Sequence, residues 1–594
     1  MSTADHIVEF NGFRLDFVNR TMTAPDGSPV TLTPRLFDTL AFLTERPGRL
    51  IEKRALMESV WGRVIVEENT LSRTISTLRH LLGESVGDNR FIATVSGVGY
   101  RFLPAVKTVG PEPVQSTATA YAIAVLPFEN LSPGDGQKHF ASGLAEELIM
   151  QLSAISGLKV IAKTSSFVLA NEPLRTLRAT LAVTHVITGS VRQIGARVRI
   201  NLQLIDASTE QYVWSGQYDR LLDDILAVQE DIARALAQAL RATLGFGARV
   251  VRAHSTRNSE AYDLYLRAKA AATLGIPDGF PRAMDLMQQS VQIDPDFALA
   301  WADIAVLTRN LMIVGAKPAE ELRSIARSAA GHALRLEPRW WPGHVAQAAL
   351  HQLHRNWSEV EHSLLRAAEF APSFPYEVNF NWWQFHFCVG DLTAAGEYMR
   401  EAMAQDPVSY ATSAVYQLHL HFAGREEEAE KEYQRSLDLP GGREMIEMIA
   451  VHRAWARGVD FTPQFRRFLD QQAFPLPVLS SLFGKHTRPE LCLPLLREAL
   501  ADAAYQDPTR QLMLAWWLAA FGEDLTALSA IKRAYDEMGH ANVSWLWFPV
   551  FARVRKLPAF AVIPRLTGLE EYWRSRQSWG EFCTAAPDGT LSYR

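Results

Sequence analysis

Cysteine is scarce: Cys388, Cys492 and Cys583 are the only three in 594 residues, and they lie far apart. They fit no metal-ligand spacing and cannot all pair with one another, which excludes a zinc-binding module or a disulfide framework and points to a reducing compartment. Long apolar runs are missing as well. Nothing approaches the roughly 18 residues of a membrane helix, and the opening MSTADHIVEFNG has neither a basic nor a long apolar stretch. No P-loop and no dinucleotide fingerprint occurs. Neither sign of charge dominates, with a formal net charge of -5, so any basic surface must be local. The expectation is a cytoplasmic protein with no cofactor, no metal and no membrane contact.

A catalytic constellation is also lacking. Asp206, Asp219, Asp223 and Asp224 could be imagined as metal ligands, and Ser165 with His185 as nucleophile and base. The aspartates fall at strand ends and a helix start, where capping is their common role, and no third group completes a triad. The chain is expected not to be an enzyme.

One local absence is informative in the other direction. The stretch NTLSRTISTLRHLLG, Asn69 to Gly83, contains no carboxylate. Leu71, Ile75, Leu78 and Leu82 recur every three or four residues and make one apolar helical face; Thr70, Arg73, Thr74, Thr77 and His80 occupy the other. Periodicity alone fits an ordinary surface helix as well as one that meets an anion.

Before this helix, HIVEF, FRLDF and PVTLT alternate around Asn11-Gly12 and Pro25-Asp26-Gly27, predicting a small antiparallel sheet. Thr33 followed by Pro34 reads as a helix start, and the helix stops at Pro47-Gly48; a second helix, KRALMESVW, ends near Gly62. After the acid-free helix, RFIATVSGVGYRFL reads as a closing hairpin around Ser96-Gly97-Val98-Gly99. The first domain is expected to span residues 1–105, and VKTVGPEPVQSTATA, without periodicity, to be a linker over 106–120. Residues 121–250 then read as a mixed α/β domain: the strand YAIAVLPF, the helix FASGLAEELIMQLSAI and the strand LKVIA form a β-α-β unit. The strands THVITGSVRQI and RVRINLQLIDA flank a turn at Gly195-Ala196, and YVWSGQY precedes a helix starting around Asp223.

Beyond residue 255 only helices are expected, and they repeat. Pro295, Pro338, Pro372, Pro407 and Pro440 each close a helix, at spacings of 43, 34, 35 and 33; Asn356, Gly390 and Gly424 recur 34 apart in the preceding turns. Small or apolar residues sit at matched offsets from the prolines: Ala283, Met287 and Ser290; Ala326, Ala330 and Ala333; Val360, Leu364 and Ala367; Ala395, Met399 and Ala402; and, one residue out of step, Ala429, Tyr433 and Ser436. Small residues let paired helices approach closely and a terminal proline ends each unit, which predicts an α-solenoid over 255–440. The period decays over 441–594, although FGEDLTALSAIKRAYDEMG still resembles a unit. GLEEYWRSRQSWGEFC is expected to cap the last hydrophobic face.

The first hundred residues resemble the winged-helix DNA-binding domain of OmpR/PhoB-type transcription regulators, through LTPRLFDTLAFL, ALMESVWG, TLSRTISTLRHLLG and ATVSGVGYRF in the family's order. The resemblance implies that the third helix enters the major groove and the hairpin wing reaches the adjacent minor groove of promoter DNA. Thr70, Arg73, Thr74 and Thr77 would then face base edges or nearby phosphates. Trp61, Arg79 and His80 would contact the backbone, and Arg101, beside Tyr100 on the wing strand, a phosphate. Many family members carry arginine where Ser96 stands, and their reading helix is more basic, so a homodimer is a further expected partner, as is RNA polymerase. Only about five residues precede the domain, which predicts that no phosphorylated receiver supplies the input. Some relatives of the ToxR and CadC kind are membrane-tethered, but here the linker holds no spanning segment.

The α/β domain resembles the TolB N-terminal-like domain of HilA-like regulators and of some repeat-bearing adenylate cyclases, through AVLPFENLS, HFASGLAEEL, VIAKTSS and YVWSGQYDR. The solenoid resembles tetratricopeptide repeats, whose concave groove binds peptides or protein helices. Trp340, Trp341, Trp382 and Trp383 are candidate groove anchors, with core packing the commoner role for such rings. The expected fold is therefore multidomain: winged helix-turn-helix, α/β domain, all-α solenoid. The expected function is transcription activation controlled through the body. A repeat scaffold or adaptor with a vestigial winged helix is the alternative, and a small-molecule site in the TolB-like domain is a further expectation.

Overall fold

The computed structural model describes the chain except for residues 1–6, 17–20, 26–28, 31–33, 58–67, 85–89, 110–120, 133–137, 222–230, 241–255, 273–278, 314–318, 441–443, 472–476 and some single positions and pairs, 96–97 among them. It divides into two compact units, Met1–Ser116 and Thr117–Arg594.

In the first unit, strands Ile7–Phe10 and Phe13–Asp16 pair antiparallel, with Val8 opposite Leu15 and Phe10 opposite Phe13. Alternation sends these four side chains into the core. Asn11 and Gly12 join the strands with φ of 46° and 83°, the two positive angles that a tight hairpin requires. Thr21–Thr23 and Pro29–Val30 extend the sheet on one side. On its other side Lys107–Val109 pairs with Ile7–Glu9, so the segment expected to be linker from residue 106 begins as a strand of the first sheet. The helices Pro34–Thr44 and Glu68–Leu81 pack on one core. In it Leu71, Ile75, Leu78 and Leu82 are 1, 1, 0 and 2% exposed. The cap Thr33 and most of the expected second helix lie outside the described residues. A second sheet, Leu50–Glu52, Gly99–Phe102 and Ile92–Val95 in that order, completes a winged helix. Gly99 has a steric reason: a Cβ there would fall 1.9 Å from the Ile51 carbonyl oxygen.

The second unit opens with a sheet ordered Leu158–Val160, Tyr121–Val125, His185–Ile194, Arg197–Asp206, Tyr212–Leu221. The first two junctions are parallel and the last two antiparallel, and Gly195, at φ 59°, turns the long hairpin. The sheet buries apolar residues on both faces. Ile123, Val125 and Ile187 meet Leu144 and Leu148 of helix Lys138–Leu152, while Ala122, Ala124 and Val186 meet Leu177 and Leu181.

Helix pairs follow, from Ser259–Ala272 with Gly279–Ile293 through Tyr410–Phe422 with Glu426–Ser436, as a solenoid of tetratricopeptide type. Every residue of the small-residue series read from the sequence is buried between helices. Asn356 accepts from the Glu359 amide at the start of one helix, and Gly390 and Gly424 take φ of 82° and 71° at the ends of others. Helices continue past residue 441, and the degenerate unit is the pair Pro508–Ala520 and Asp524–Asp536.

The aromatic tail does not cap the end of this stack. It runs back to the middle of the solenoid: Trp547 Nε1 donates to the Cys388 carbonyl (3.0 Å), Trp573 Nε1 to that of Val389 (2.8 Å) and the Glu581 amide to that of Gly390 (2.8 Å). Trp357 Nε1 and Arg355 Nη1 donate in return to the carbonyls of Thr567 and Leu566. The approach is close enough that a Cβ on Gly580 would lie 2.7 Å from the Gly390 carbonyl oxygen. Aromatic richness marked a cover correctly but carries no information about which surface it covers. Among the described residues no helix is long and apolar enough to cross a membrane.

Candidate nucleic-acid interface

Helix Glu68–Leu81 is held by its apolar seam and closed at its end by Gly83, at φ 75°; the Glu84 amide donates to the Arg79 carbonyl at 2.9 Å. This turn brings the Glu84 carboxylate inside, where its Oε1 accepts from the amides of Phe91 and Ile92. Arg79 completes the clamp. Its guanidinium lies 3.3 Å from Glu84 Oε2 and donates to the Ile92 carbonyl (3.1 and 2.6 Å) and to Thr94 Oγ1 (2.8 Å). Helix and hairpin are thereby fixed to each other, and the angle between reading helix and wing is set by a buried carboxylate that the sequence alone does not single out.

The clamp reassigns two residues expected on the outside. Arg79 is committed to the protein's own hairpin, because turning it outward would take the partner away from the buried Glu84 carboxylate and the Ile92 carbonyl. Tyr100 is 4% exposed, with its ring in the core, because alternation along Gly99–Phe102 turns it and Phe102 inward. The same alternation turns Arg101 outward, where it is exposed on the strand between Leu50 and Ala93. On the helix Thr77 is exposed and Thr74 half-buried, and Ser76, not among the expected contacts, is exposed beside them. Thr70, Arg73 and His80 occupy positions on this helix, but their side chains lie outside the described residues, as do Trp61 and Ser96 altogether.

The residues considered for catalysis are otherwise engaged. Ser165 Oγ donates to Asp406 Oδ1 (2.7 Å) and accepts from the Val408 amide (3.0 Å), joining the α/β domain to the solenoid, while His185 Nδ1 lies 3.1 Å from Thr184 Oγ1. Burial lowers the His185 pKa. Asp206 closes a turn, accepting from the Ser208 hydroxyl and the amides of Ser208 and Thr209, which hold its pKa down at about 2. Asp219 pairs with Arg199 and Arg197; Asp223 and Asp224 lie outside the described residues. Among the described residues no three metal-ligating side chains cluster. Trp340, Trp341, Trp382 and Trp383 are 4, 6, 3 and 6% exposed and pack in the core, Trp341 with an edge on a cavity beside it.

Residues 27–102 match the family of the C-terminal domain of transcriptional regulatory proteins, and residues 119–235 match the second domain of HilA/YgeH-like transcriptional regulators. The chain is similar to “Putative adenylate cyclase 3” of Rhizobium meliloti, 37% identical over 202 residues that make up 34% of each chain. It is 37% identical to the transcriptional regulator HilA of Salmonella typhi over 100 residues, 17% of this chain and 18% of that one. It thus spans about a third of the first relative's length and under a fifth of the second's. Among solved structures, the DNA-binding domain of Klebsiella pneumoniae RstA in complex with RstA box is 28% identical, covers 17% of this chain and 98% of its own, and has a TM-score of 0.16.

Proposed function

We propose that this chain, in which an OmpR/PhoB-type winged helix precedes a HilA-like α/β domain and a tetratricopeptide-type solenoid, is a sequence-specific DNA-binding transcription activator. The observation that carries the reading is the outer face of helix Glu68–Leu81. It is free of carboxylates after Glu68 and presents Thr74, Ser76 and Thr77 away from a fully buried seam. Thr70, Arg73, Thr74 and Thr77 contact base edges or nearby phosphates, Arg101 contacts a phosphate, Trp61 and His80 contact the DNA backbone, and Ser96 is a further contact. Arg79 and Tyr100 position this surface from within. A homodimer on paired half-sites supplies the affinity that a weakly basic helix lacks, and the body receives the signal and contacts protein partners, RNA polymerase among them. The protein works in the cytoplasm and catalyses no reaction; the likeness to a cyclase reaches only a third of that relative.

An electrophoretic shift of the full chain on the DNA upstream of its own gene tests the reading. Arg73→Ala is expected to weaken the specific complex by about 1–3 kcal/mol, whereas Arg101→Ala is expected to reduce the salt slope of binding by about one. An unaltered shift with Arg73→Ala would overturn the interface, and no shift with the parent protein would favour a scaffold built on the solenoid.

A further inference from the structure

Where the α/β domain meets the first repeats, a cavity of about 420 Å³ opens between helix Lys138–Leu152, Lys163 and the helices of the solenoid, a volume within the range of small-molecule sites. Its walls are largely apolar and aromatic, with Met150, Leu266, Phe280, Val306 and Trp341 among them. Four carboxylates and two lysines also border it: Glu146, Glu147, Asp303 and Glu377 against Lys163 and Lys269. Two of the carboxylates are matched. Lys163 pairs with Glu146, and Asp303 accepts from Lys269 (3.1 Å) and from the Tyr265 hydroxyl (2.9 Å).

Glu147 and Glu377 are left over. Glu147 is 4% exposed, and its hydrogen-bond partner is the Gln151 amide one turn along its own helix, at 2.9 Å; no cation lies within ion-pair distance among the described residues. Burial, with a smaller contribution from neighbouring Glu146, pushes its pKa up to about 7. Glu377 is exposed where it borders the cavity; the protein around it raises its pKa by desolvation, and Lys269 only partly offsets this. A carboxylate as buried as Glu147 is costly to ionise unless a positive charge arrives.

We infer that this cavity is a binding site for a small organic cation, an ammonium group on an apolar body, with Glu147 and Glu377 receiving the charge and the Phe280–Trp341 side receiving the body. The inference is independent of DNA binding. Each half of the ligand answers one half of the wall: the surplus of two carboxylates selects positive charge, and the aromatic lining selects a molecule larger than a metal ion.

Calorimetric titration of the full chain with three probes of one shape tests it: 2-phenylethylamine, 2-phenylethanol and 3-phenylpropanoate. The amine is expected to bind at least tenfold more tightly than the alcohol, and the acid not at all. Glu147→Gln and Glu377→Gln, which keep side-chain shape, are each expected to weaken the amine about tenfold while leaving the weak binding of the alcohol in place. Val306→Phe, which fills space without altering charge, is expected to abolish both, with an unchanged melting curve. Equal affinity for amine and alcohol, amine binding indifferent to both glutamine variants, or no heat from any probe at millimolar concentration would overturn the assignment.

Discussion

Glu581 offers a quantitative test of how the tail is held. Its carboxylate accepts from the Leu392 amide at 2.6 Å, the Thr393 amide at 3.0 Å and the Thr393 hydroxyl at 2.9 Å. Those amides are unsatisfied donors at the start of helix Leu392–Gln405, where Asp391 already serves Ala394. The glutamate is therefore a second N-cap delivered from nearly two hundred positions away. Because Glu581 is exposed, the scale of helix capping applies, about 1–2 kcal/mol for loss of the carboxylate. That free energy corresponds to a roughly 5- to 30-fold larger population of the undocked tail. Arg574 and Arg576 lie in the docked helix Leu569–Arg576, so tryptic cleavage there reports the opening. For the full-length protein, Glu581→Ala should raise the rate of appearance of fragments ending at these arginines by that factor, and Glu581→Gln, which keeps one acceptor, by less. A rate within twofold of the parent for the alanine variant would refute the argument and leave the hold to the tryptophan and backbone contacts.

Three other substitutions test separate parts of the structure. Arg79→Ala leaves the Glu84 carboxylate and the Ile92 carbonyl without their partner, so it should lower the stability of the first unit by about 1–3 kcal/mol; amide exchange at Phe91 and Ile92 should accelerate correspondingly, and unchanged protection would count against the clamp. Ser165→Ala removes the hydroxyl between Asp406 and the Val408 amide, for a loss of about 1–3 kcal/mol in the second unit, readable as a lower melting temperature of the full chain. Glu147→Gln should act through pH. Its carboxyl titrates at about 7 in the fold against 4.5 ordinarily. The parent therefore loses stability as pH rises from 4.5 to 7, by roughly 3 kcal/mol in full above that window, and the variant does not. Denaturant unfolding should find the variant the more stable at pH 8 and no better at pH 4; equal stability at pH 8 would show that the carboxylate is solvated.

Features governed by short-range pattern are legible in the sequence. The period of Leu71, Ile75, Leu78 and Leu82 identified a buried seam because a helix offers only one way to gather those positions. The proline and alanine offsets gave the repeat because stacked units must approach at the same point in each. Tertiary choices were not legible. Lys107–Val109 has too few residues to show an alternation, and its strand character comes from the free edge of Ile7–Phe10. Arg79 reads as a contact to the DNA backbone and Glu84 is not singled out, because their partners lie on a hairpin seven to fifteen positions away. For the four solenoid tryptophans core packing is the commoner expectation, and their burial bears it out, but their spacing alone does not exclude a groove. At the proposed interface the apolar face of the helix was inferable from periodicity, and the split between Arg79 and Arg101 was not.

The return of the tail also bears on the order of events during synthesis. Val389 and the tryptophan that covers it are 184 residues apart. At ordinary elongation rates the central repeats would emerge roughly 10–40 s before their cover exists. During that interval the carbonyls at the end of helix Tyr376–Val389 and the face around Trp357 stand open on the nascent chain, an adhesive surface of the kind that chaperones recognise. A premature stop ahead of Trp547 would make that interval permanent, so truncated products are expected to meet the protease before they meet a promoter.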